Sequence, residues 1–284
     1  MRITLFGASG LLGKALVQEL KSEQQTAASS KDADLRNPGA VEHIIRRAHP
    51  EWIILSAAYT DVDACESNRE LAFSVNCDGA LNVARAARDT RSKLIFLSSD
   101  YVFDGTKQSA YETTDARHPI NVYGETKAKA EERLLELMPD VCIVRTSWLF
   151  GPGGKCFPAT ILKLAASRPE ISVVDDQRGS PTLTIDLARA LHQLCQVNAS
   201  GIVHITNSGD CTWYQFAKEI IAVAGLSTHV KPVTSEEFPR TAKRPAYSVL
   251  SPASLAAYGV AMAPWQDATR RYLAQASVSA SPPA

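Results

Sequence analysis

The chain has 284 residues, 45% hydrophobic and 21% charged, which is globular composition sufficient for one domain and a smaller lobe. Thirty basic residues balance thirty acidic ones, so the charge favours neither nucleic acid nor an anionic membrane as partner. No apolar run reaches about 18 residues, and the six cysteines form no Cys-x-x-Cys pair. We therefore expect a soluble cytoplasmic protein with buried free thiols, no disulfide framework and no metal site.

Short apolar runs alternate with longer amphipathic segments through the first half of the chain. Strands are predicted over 2–6, 25–28, 52–56, 93–98 and 141–146. Helices are predicted between them, over 11–20, 38–48, 69–88 and 122–138. This order is typical of an α/β fold of Rossmann type, a doubly wound parallel sheet with helices on both faces. Ligands of such sheets bind beyond the carboxyl ends of the strands.

The pattern is less regular after about residue 150. Helices are predicted over 157–166, 185–197 and 212–224, and strands over 171–174, 201–205 and 230–233. We expect a first domain over 1–150 and a smaller lobe over 151–276, some segments of which return to the first domain. Residues 277–284 have no core-forming pattern and are predicted to be a disordered tail.

A glycine-rich turn joins the first strand to the first helix. Gly7, Gly10 and Gly13 follow the spacing G-x-x-G-x-x-G, with Leu11 and Leu12 at the start of the helix. Glycine lets the backbone approach a pyrophosphate, and the helix N-terminus offers it unpaired N–H groups and a partial positive charge. The turn therefore predicts a dinucleotide site and makes the first domain NAD(P)-binding.

The end of the second strand bears on the choice between NAD and NADP. No carboxylate stands directly at this tip, where Ser29 and Lys31 offer a hydroxyl and a positive charge that suit a 2′-phosphate. Asp34 and Leu35 follow and are predicted to meet the adenine ring. We expect NADPH as the cofactor, with NADH as the alternative.

Three side chains form a candidate catalytic group. Tyr123 and Lys127 lie four residues apart on one helix face, where the ammonium is predicted to lower the tyrosine pKa. Such a tyrosine exchanges a proton with a substrate oxygen. Ser99 ends a buried strand before that helix and lacks the Gly-x-Ser-x-Gly context of a nucleophile.

These motifs resemble those of the extended short-chain dehydrogenases/reductases, and the resemblance covers nearly the whole chain. The glycine turn and Tyr-x-x-x-Lys occur throughout that family. The runs 98–105 (Ser-Ser-Asp-Tyr-Val-Phe-Asp-Gly) and 145–148 (Arg-Thr-Ser-Trp) are more specific, and they resemble the branch that makes dTDP-L-rhamnose.

The resemblance assigns roles to individual positions. It implies that Ser99, Tyr123 and Lys127 are catalytic, and that Ala57, Ala58, Tyr59 and Leu97 lie beside the cofactor. Asp100, Tyr101 and Trp148 are expected to contact a sugar. From its own chemistry, Arg244 is a candidate partner for a diphosphate, because guanidinium matches phosphate geometry.

The implied activity is the NADPH-dependent reduction of the 4-keto group of dTDP-4-dehydro-L-rhamnose, with a dTDP-linked 4-keto-6-deoxy sugar as substrate. Two alternatives stay open. One is a non-catalytic NADP-binding subunit resembling the regulatory β subunit of methionine adenosyltransferase, and the other is a different sugar-nucleotide dehydratase or epimerase. The sequence leaves a monomer and a homodimer open.

Overall fold

The computed structural model describes residues 1–280, and their side chains as far as residue 275. In chain order the strands are β1 (Arg2–Phe6), β2 (Gln24–Ala28), β3 (Trp52–Leu55), β4 (Lys93–Ser99), β5 (Cys142–Thr146), β6 (Leu149–Phe150), β7 (Glu170–Val174), β8 (Arg178–Gly179), β9 (Thr182–Leu183), β10 (Gly201–His204), β11 (Cys211–Thr212) and β12 (His229–Val233).

The helices are α1 (Leu11–Glu19), α2 (Pro38–Ala48), α3 (Val62–Ser67), α4 (Arg69–Phe73), α5 (Gly79–Thr90), α6 (Val122–Leu137), α7 (Phe157–Ala165), α8 (Thr184–Gln196), α9 (Trp213–Val223), α10 (Ala253–Ala256) and α11 (Trp265–Ala280). Short 3₁₀ turns occupy Leu20–Ser22 and Asp100–Val102, and Ser74–Asp78 forms a π-helical turn.

A six-stranded sheet of order β10-β5-β4-β3-β1-β2 forms the centre of the molecule. Each neighbouring pair in it is parallel, so the predicted Rossmann-type fold is confirmed. The register places Phe6 beside Leu55, and Ser99 beside Thr146. The segments that follow these strands therefore start from the same edge of the sheet.

Successive strand residues face opposite sides of the sheet, and each side has its own apolar core. Leu5 and Ile54 pack with α1 and α8 on one side. Phe6 and Ile53 pack with α2, α5 and α6 on the other. Because α8 and β10 belong to this central unit, the second half of the chain returns to it after residue 183. The proposed division at residue 150 stays a prediction.

The rest of the second half packs around a third apolar core. Phe150, Phe216 and Trp265 lie at its centre, enclosed by α7, α9 and α11 and by the parallel pair β7 and β12. Two further two-stranded pairs, β6 with β9 and β8 with β11, connect this unit to the edge of the central sheet.

The structure differs from the sequence prediction in several places. The helices α10 and α11 and the two-residue strands β6, β8, β9 and β11 were not predicted. The helix expected over 69–88 is divided into α4, the π-helical turn and α5. The six-residue helix α3 was not predicted, because one and a half turns show no periodicity; the Asp61 carboxylate caps it. The disordered tail was expected from residue 277, whereas α11 runs to Ala280 and residues 281–284 lie outside the described residues.

All six cysteines are buried and free, as the sequence predicted. Within residues 1–280, no helix is both long enough and apolar enough to cross a membrane.

Gly124 lies in the first turn of α6, where the helix touches the segment that follows β4. A Cβ at this position would lie 2.1 Å from the carbonyl oxygen of Tyr101, so the backbone would have to shift. We expect Gly124→Ala to lower the free energy of unfolding by about 1–3 kcal/mol, measured by urea denaturation. Gly39→Ala is the control, because the nearest atom there is 3.5 Å away. Equal stability of both variants would contradict the prediction.

Candidate active site

A cleft of about 570 Å³ opens at the sheet edge where β1, β3, β4 and β5 end. Most predicted site residues line it: Gly7, Gly10, Leu11, Leu12, Gly13, Ala57, Ala58, Leu97, Ser99, Asp100, Tyr101, Tyr123, Lys127 and Trp148. The others lie outside its walls: Ser29, Lys31, Asp34, Leu35, Tyr59 and Arg244.

The glycine turn lies directly against the end of β3. Gly7 has a φ of 96°, and a Cβ there would lie 2.6 Å from the backbone nitrogen of Ala57. A Cβ on Gly13 would lie 2.0 Å from the carbonyl oxygen of Gly7. Gly10 begins α1 without a side-chain cap, so the first N–H groups of the helix remain available. This uncapped helix start on a cleft fits the pyrophosphate of a dinucleotide.

The turn after β2 holds a carboxylate that the sequence analysis did not place there. Asp32 Oδ2 accepts hydrogen bonds from the Ser29 hydroxyl (2.6 Å) and backbone N–H (2.8 Å). These bonds lower the pKa of Asp32. Lys31 is exposed beside them, and it is Ser30 rather than Ser29 that lines the cleft. The expectation of a tip without a carboxylate is therefore wrong.

Three residues assigned to the cofactor have other contacts in the structure. Asp34 forms an ion pair with Arg36 at 2.5 Å. Leu35 is buried in the core shared with α5. The backbone of Tyr59 exchanges two hydrogen bonds with the side chain of Asn76, at 2.7 and 3.0 Å. Their roles toward a cofactor stay predictions.

Ser99, Tyr123 and Lys127 meet at the floor of the cleft. The Ser99 hydroxyl donates to Asp100 Oδ1 (2.9 Å) and accepts from the backbone N–H of Tyr101 (3.2 Å). Lys127 Nζ donates to the carbonyl oxygen of Leu97 (2.8 Å). The strand end and the helix thus bring the predicted serine, tyrosine and lysine into one site.

The pKa of Tyr123 is shifted opposite to the prediction. Burial raises it, the nearby Asp100 carboxylate raises it further, and a hydrogen bond with Ser99 only partly opposes them. The expected lowering by Lys127 is wrong: burial, Asp100, Ser99 and Cys65 set the shift of the Tyr123 pKa, and Lys127 Nζ is hydrogen-bonded to the carbonyl oxygen of Leu97. The phenol therefore keeps its proton at neutral pH, as a proton donor requires. Burial also lowers the pKa of Lys127, to about 8.

Asp100 is a buried carboxyl group next to Ser99. Its side chain is 2% exposed, and Oδ2 has no hydrogen-bond partner in the described part of the chain. Burial raises its pKa to about 6, although the nearby hydroxyls of Ser248 and Ser99 act in the opposite direction. A buried polar atom without a partner at the wall of a cleft suits a hydroxyl group of a ligand.

Trp148 follows β5 in a strained conformation, with a φ of 49°. Its indole stacks on that of Trp213, with ring centroids 3.6 Å apart and planes 8° from parallel. Gly179 packs against the same indole, since a Cβ there would lie 2.7 Å from Cε2. Trp148 and Trp213, from α9, thus form one aromatic surface that lines the cleft, and a sugar contact at Trp148 stays a prediction.

Arg244 lies beside the cleft and already has an anionic partner. Its Nη2 lies 3.2 Å from Asp63 Oδ2, and its guanidinium lies 6.0 Å from the ring centre of Tyr101. Asp63 also accepts the backbone N–H of Ala242 at 3.0 Å, so it anchors the loop that carries Arg244. Binding of a diphosphate by Arg244 stays a prediction.

Several cleft residues were missed by the sequence analysis. Thr146 ends β5 and Ser147 directly follows it, so the strand-end rule that found Ser99 could have found them. Lys155 and Trp213 come from the second half of the chain, where nothing in the local sequence indicates contact with the glycine turn. Lys155 is exposed and forms no ion pair with the described residues.

Among the described residues, no group of three His, Cys, Asp or Glu side chains lies close enough together to hold a metal ion.

The chain matches the family described as the RmlD substrate binding domain over residues 1–278. It is 38% identical over 290 residues to a dTDP-4-dehydrorhamnose reductase of Mycobacterium tuberculosis, covering 99% of this chain and 95% of that protein. It is also 38% identical over 248 residues to a dTDP-4-keto-6-deoxy-D-glucose reductase of Streptomyces niveus, covering 86% of each chain.

A solved structure is similar throughout. The dTDP-4-dehydrorhamnose reductase of Bacillus anthracis, crystallised in complex with NADP, superposes with a TM-score of 0.94 at 38% identity. The match covers 96% of this chain and 99% of that one.

The buried Asp100 makes stability depend on pH. Its carboxyl ionises at about 3.8 in the unfolded chain and at about 6 in the folded protein. Below both values it is neutral in both states. As pH rises from about 4 through 6, the folded state becomes less stable, because it must hold a buried carboxylate.

We expect Asp100→Asn to raise the free energy of unfolding by up to about 3 kcal/mol at pH 8 and to leave it nearly unchanged at pH 4. Urea denaturation at both pH values measures the difference. Asp104→Asn is the control of opposite sign, because hydrogen bonds from Thr106 and Tyr111 lower the pKa of Asp104. An equal effect of Asp100→Asn at both pH values would refute the expectation.

Proposed function

The chain belongs to the family of the RmlD substrate binding domain, and we propose that it reduces the 4-keto group of dTDP-4-dehydro-L-rhamnose with NADPH. The product is dTDP-L-rhamnose. One observation carries the proposal: Ser99, Tyr123 and Lys127 converge on a cleft whose opposite wall is the glycine turn. The Mycobacterium tuberculosis relative at 38% identity is named for this activity, and the Streptomyces niveus relative is named for the reduction of another dTDP-linked keto sugar.

The residues present fit a dinucleotide. Gly7 and Gly13 let the turn pack closely against β3 and against itself, which leaves the uncapped start of α1 at the cleft for the pyrophosphate, with Ala57 and Ala58 beside it. NADPH, when bound, supplies the hydride that reduces the ketone. The NADP found with the Bacillus anthracis relative supports this choice of cofactor.

The chain's own contribution is proton transfer and orientation. Tyr123, protonated at neutral pH, donates its proton to the ketone oxygen as the oxygen becomes an alkoxide. Ser99 lies next to this phenol, and its hydroxyl donates a hydrogen bond to the same oxygen once its proton turns away from Asp100 Oδ1. Lys127 presents an ammonium at the cleft floor to the hydroxyl groups of the nicotinamide ribose.

The second half of the chain supplies the surface for the sugar nucleotide. We assign the deoxysugar to the wall formed by Trp148 and Trp213, because indole rings pack well on apolar sugar faces. Asp100 Oδ2 is the acceptor available for a sugar hydroxyl. Lys155, exposed and without an ion pair among the described residues, is the cation at the cleft suited to phosphate oxygens.

The direct test is an assay with NADPH and dTDP-4-dehydro-L-rhamnose. The loss of NADPH absorbance measures the rate, and product analysis identifies the sugar nucleotide formed. dTDP-4-keto-6-deoxy-D-glucose is the comparison substrate, since a relative is named for its reduction. Faster turnover of the L-rhamnose precursor supports the proposal. No turnover of any nucleotide sugar, with copurification of a synthetase, would instead indicate a regulatory subunit. Sedimentation of the same preparation distinguishes a monomer from a homodimer.

Tyr123→Phe keeps the ring and removes the proton donor. We expect kcat to fall by about 10²–10⁴, the usual loss for a general acid, while NADPH affinity stays close to that of the parent. Steady-state kinetics and nucleotide fluorescence titration measure the two quantities. Tyr214→Phe, on α9 outside the cleft, is the matched control. Ketone reduction by Tyr123→Phe at the parent rate would remove Tyr123 from the mechanism.

Lys31 is the exposed cation at the tip of β2. If it meets the 2′-phosphate, Lys31→Ala should weaken NADPH binding by about threefold to tenfold and leave NADH binding unchanged, since NADH lacks that phosphate. Lys21→Ala, an exposed lysine before β2, is the control. Titrations of the parent and of both variants with NADPH and with NADH measure these affinities. An equal loss for NADPH and NADH would show that Lys31 does not read the phosphate.

A further inference from the structure

A buried ionic cluster lies beneath the catalytic residues, and Ser98 is the one of its members that also lines the cleft. We call Glu131, Arg145, Ser98, Arg117 and His204 the Glu131 cluster. Glu131 is completely buried and Arg145 is 1% exposed. Arg145 Nε donates to Oε1 at 3.0 Å and Nη2 donates to Oε2 at 2.6 Å, which is a bidentate pair.

Glu131 accepts from two further donors. The Ser98 hydroxyl donates to Oε1, and Arg117 Nη1 donates to Oε2 at 3.3 Å. The carboxylate thereby ties together three elements: α6, which carries it, β4 through Ser98, and β5 through Arg145. Both carboxylate oxygens are fully engaged.

The far side of Arg145 has no second anion. Its Nη1 lies 3.4 Å from His204 Nε2, and its guanidinium lies 5.0 Å from the ring centre of Phe103. Burial and the charge of Arg145 lower the pKa of His204 to about 3, so this imidazole stays neutral. Within the described residues, Glu131 therefore carries the counter-charge of Arg145.

Three members of the cluster adjoin groups of the candidate active site along the chain. Ser98 directly precedes Ser99, and Arg145 directly precedes the cleft residue Thr146. Glu131 lies one helical turn beyond Lys127 and two beyond Tyr123. A buried ion pair stabilises a fold little compared with apolar residues of the same volume, so stability alone does not account for it.

We propose that Glu131 is a positioning residue: by holding Ser98 and Arg145 it fixes α6 against the ends of β4 and β5 and sets the geometry between Tyr123 and Ser99. The catalytic consequence rests on the proposed function. A displacement of about 1 Å between reacting groups is enough to cost about 10²-fold in rate. We call this link from Glu131 to Ser98 and Arg145 the clamp. It acts through the residues next to it in the chain, since Glu131 and Arg145 do not themselves line the cleft.

The same carboxylate also acts on Lys127 through its charge. Burial lowers the pKa of Lys127 to about 8, and Glu131 opposes that shift. Other titratable or charged groups face the cluster and the catalytic residues from the neighbouring elements: Cys65 on α3, Asp100 after β4, Tyr123 on α6, Arg145 on β5, His204 on β10, and Arg117 and Asp115 in the loop before α6.

The test compares three single variants. Glu131→Gln should lower kcat by about 10²-fold and leave KM for the sugar nucleotide near the parent value. The alkaline limb of its pH–rate profile should move to lower pH by about one unit, because Lys127 loses a neighbouring negative charge. Ser98→Ala, which removes only the link to β4, should lower kcat by about tenfold without moving that limb. Glu132→Gln, in an exposed ion pair with Lys129 on the same helix, should match the parent.

A double variant covers the case in which Glu131→Gln fails to fold with Arg145 left unpaired. Glu131→Met with Arg145→Leu removes both charges together, so it should fold with a Tm near that of the parent. It should still lose kcat by about 10²-fold. A folded double variant with the parent's kcat and alkaline limb would overturn the proposal.

Hydrogen exchange at the amides of residues 97–101 gives a readout that needs no substrate. It should be faster in Ser98→Ala than in the parent and unchanged in Glu132→Gln. If the parent does not turn over the sugar nucleotide, the proposed function fails, and exchange still decides whether the clamp exists. Unchanged exchange in Ser98→Ala would overturn the clamp independently.

Discussion

All strands of the central sheet run in one direction, and a parallel pair cannot be closed by a tight turn. Each connection must cross a face of the sheet, usually as a helix, before the next strand begins. The carboxyl ends of β1, β3, β4 and β5 therefore meet at one edge, although the residues that follow them range from Gly7 to Trp148. The crossover helices cover both faces with apolar cores, so this edge is where polar groups converge.

Convergence at that edge puts charged groups where water is scarce. Asp100 and Lys127 are both buried, and burial shifts the pKa of each toward its neutral form. Beneath them, Glu131 and Arg145 neutralise each other in a bidentate pair. Trp148 adds backbone strain, since its φ is 49°. The molecule thus gives up stability at the sheet edge, while the two apolar cores hold the scaffold that keeps these groups in place.

The second half of the chain completes the cleft by two different routes. The strand β10 and the helix α8 return to the central sheet, which places His204 against Arg145. The segments around α7 and α9 instead close over the cleft and bring Lys155 and Trp213 to its wall. Their positions follow from the third apolar core, in which Phe157 and Phe216 pack against Trp213.

Local sequence determined the strands of the central sheet, the long helices other than α11, the glycine turn, and the meeting of Ser99, Tyr123 and Lys127, because periodicity, glycine spacing and the parallel-sheet rule act over short stretches. Tertiary structure alone decided the rest. The pKa of Tyr123 follows from burial, which no four-residue spacing reveals, and Asp32 reaches Ser29 only through the fold of its turn. Trp213 stacks on Trp148 across 65 residues, and Glu131 meets Arg145 across 14. Such contacts depend on how separate elements pack together, and that packing leaves no local pattern in the chain.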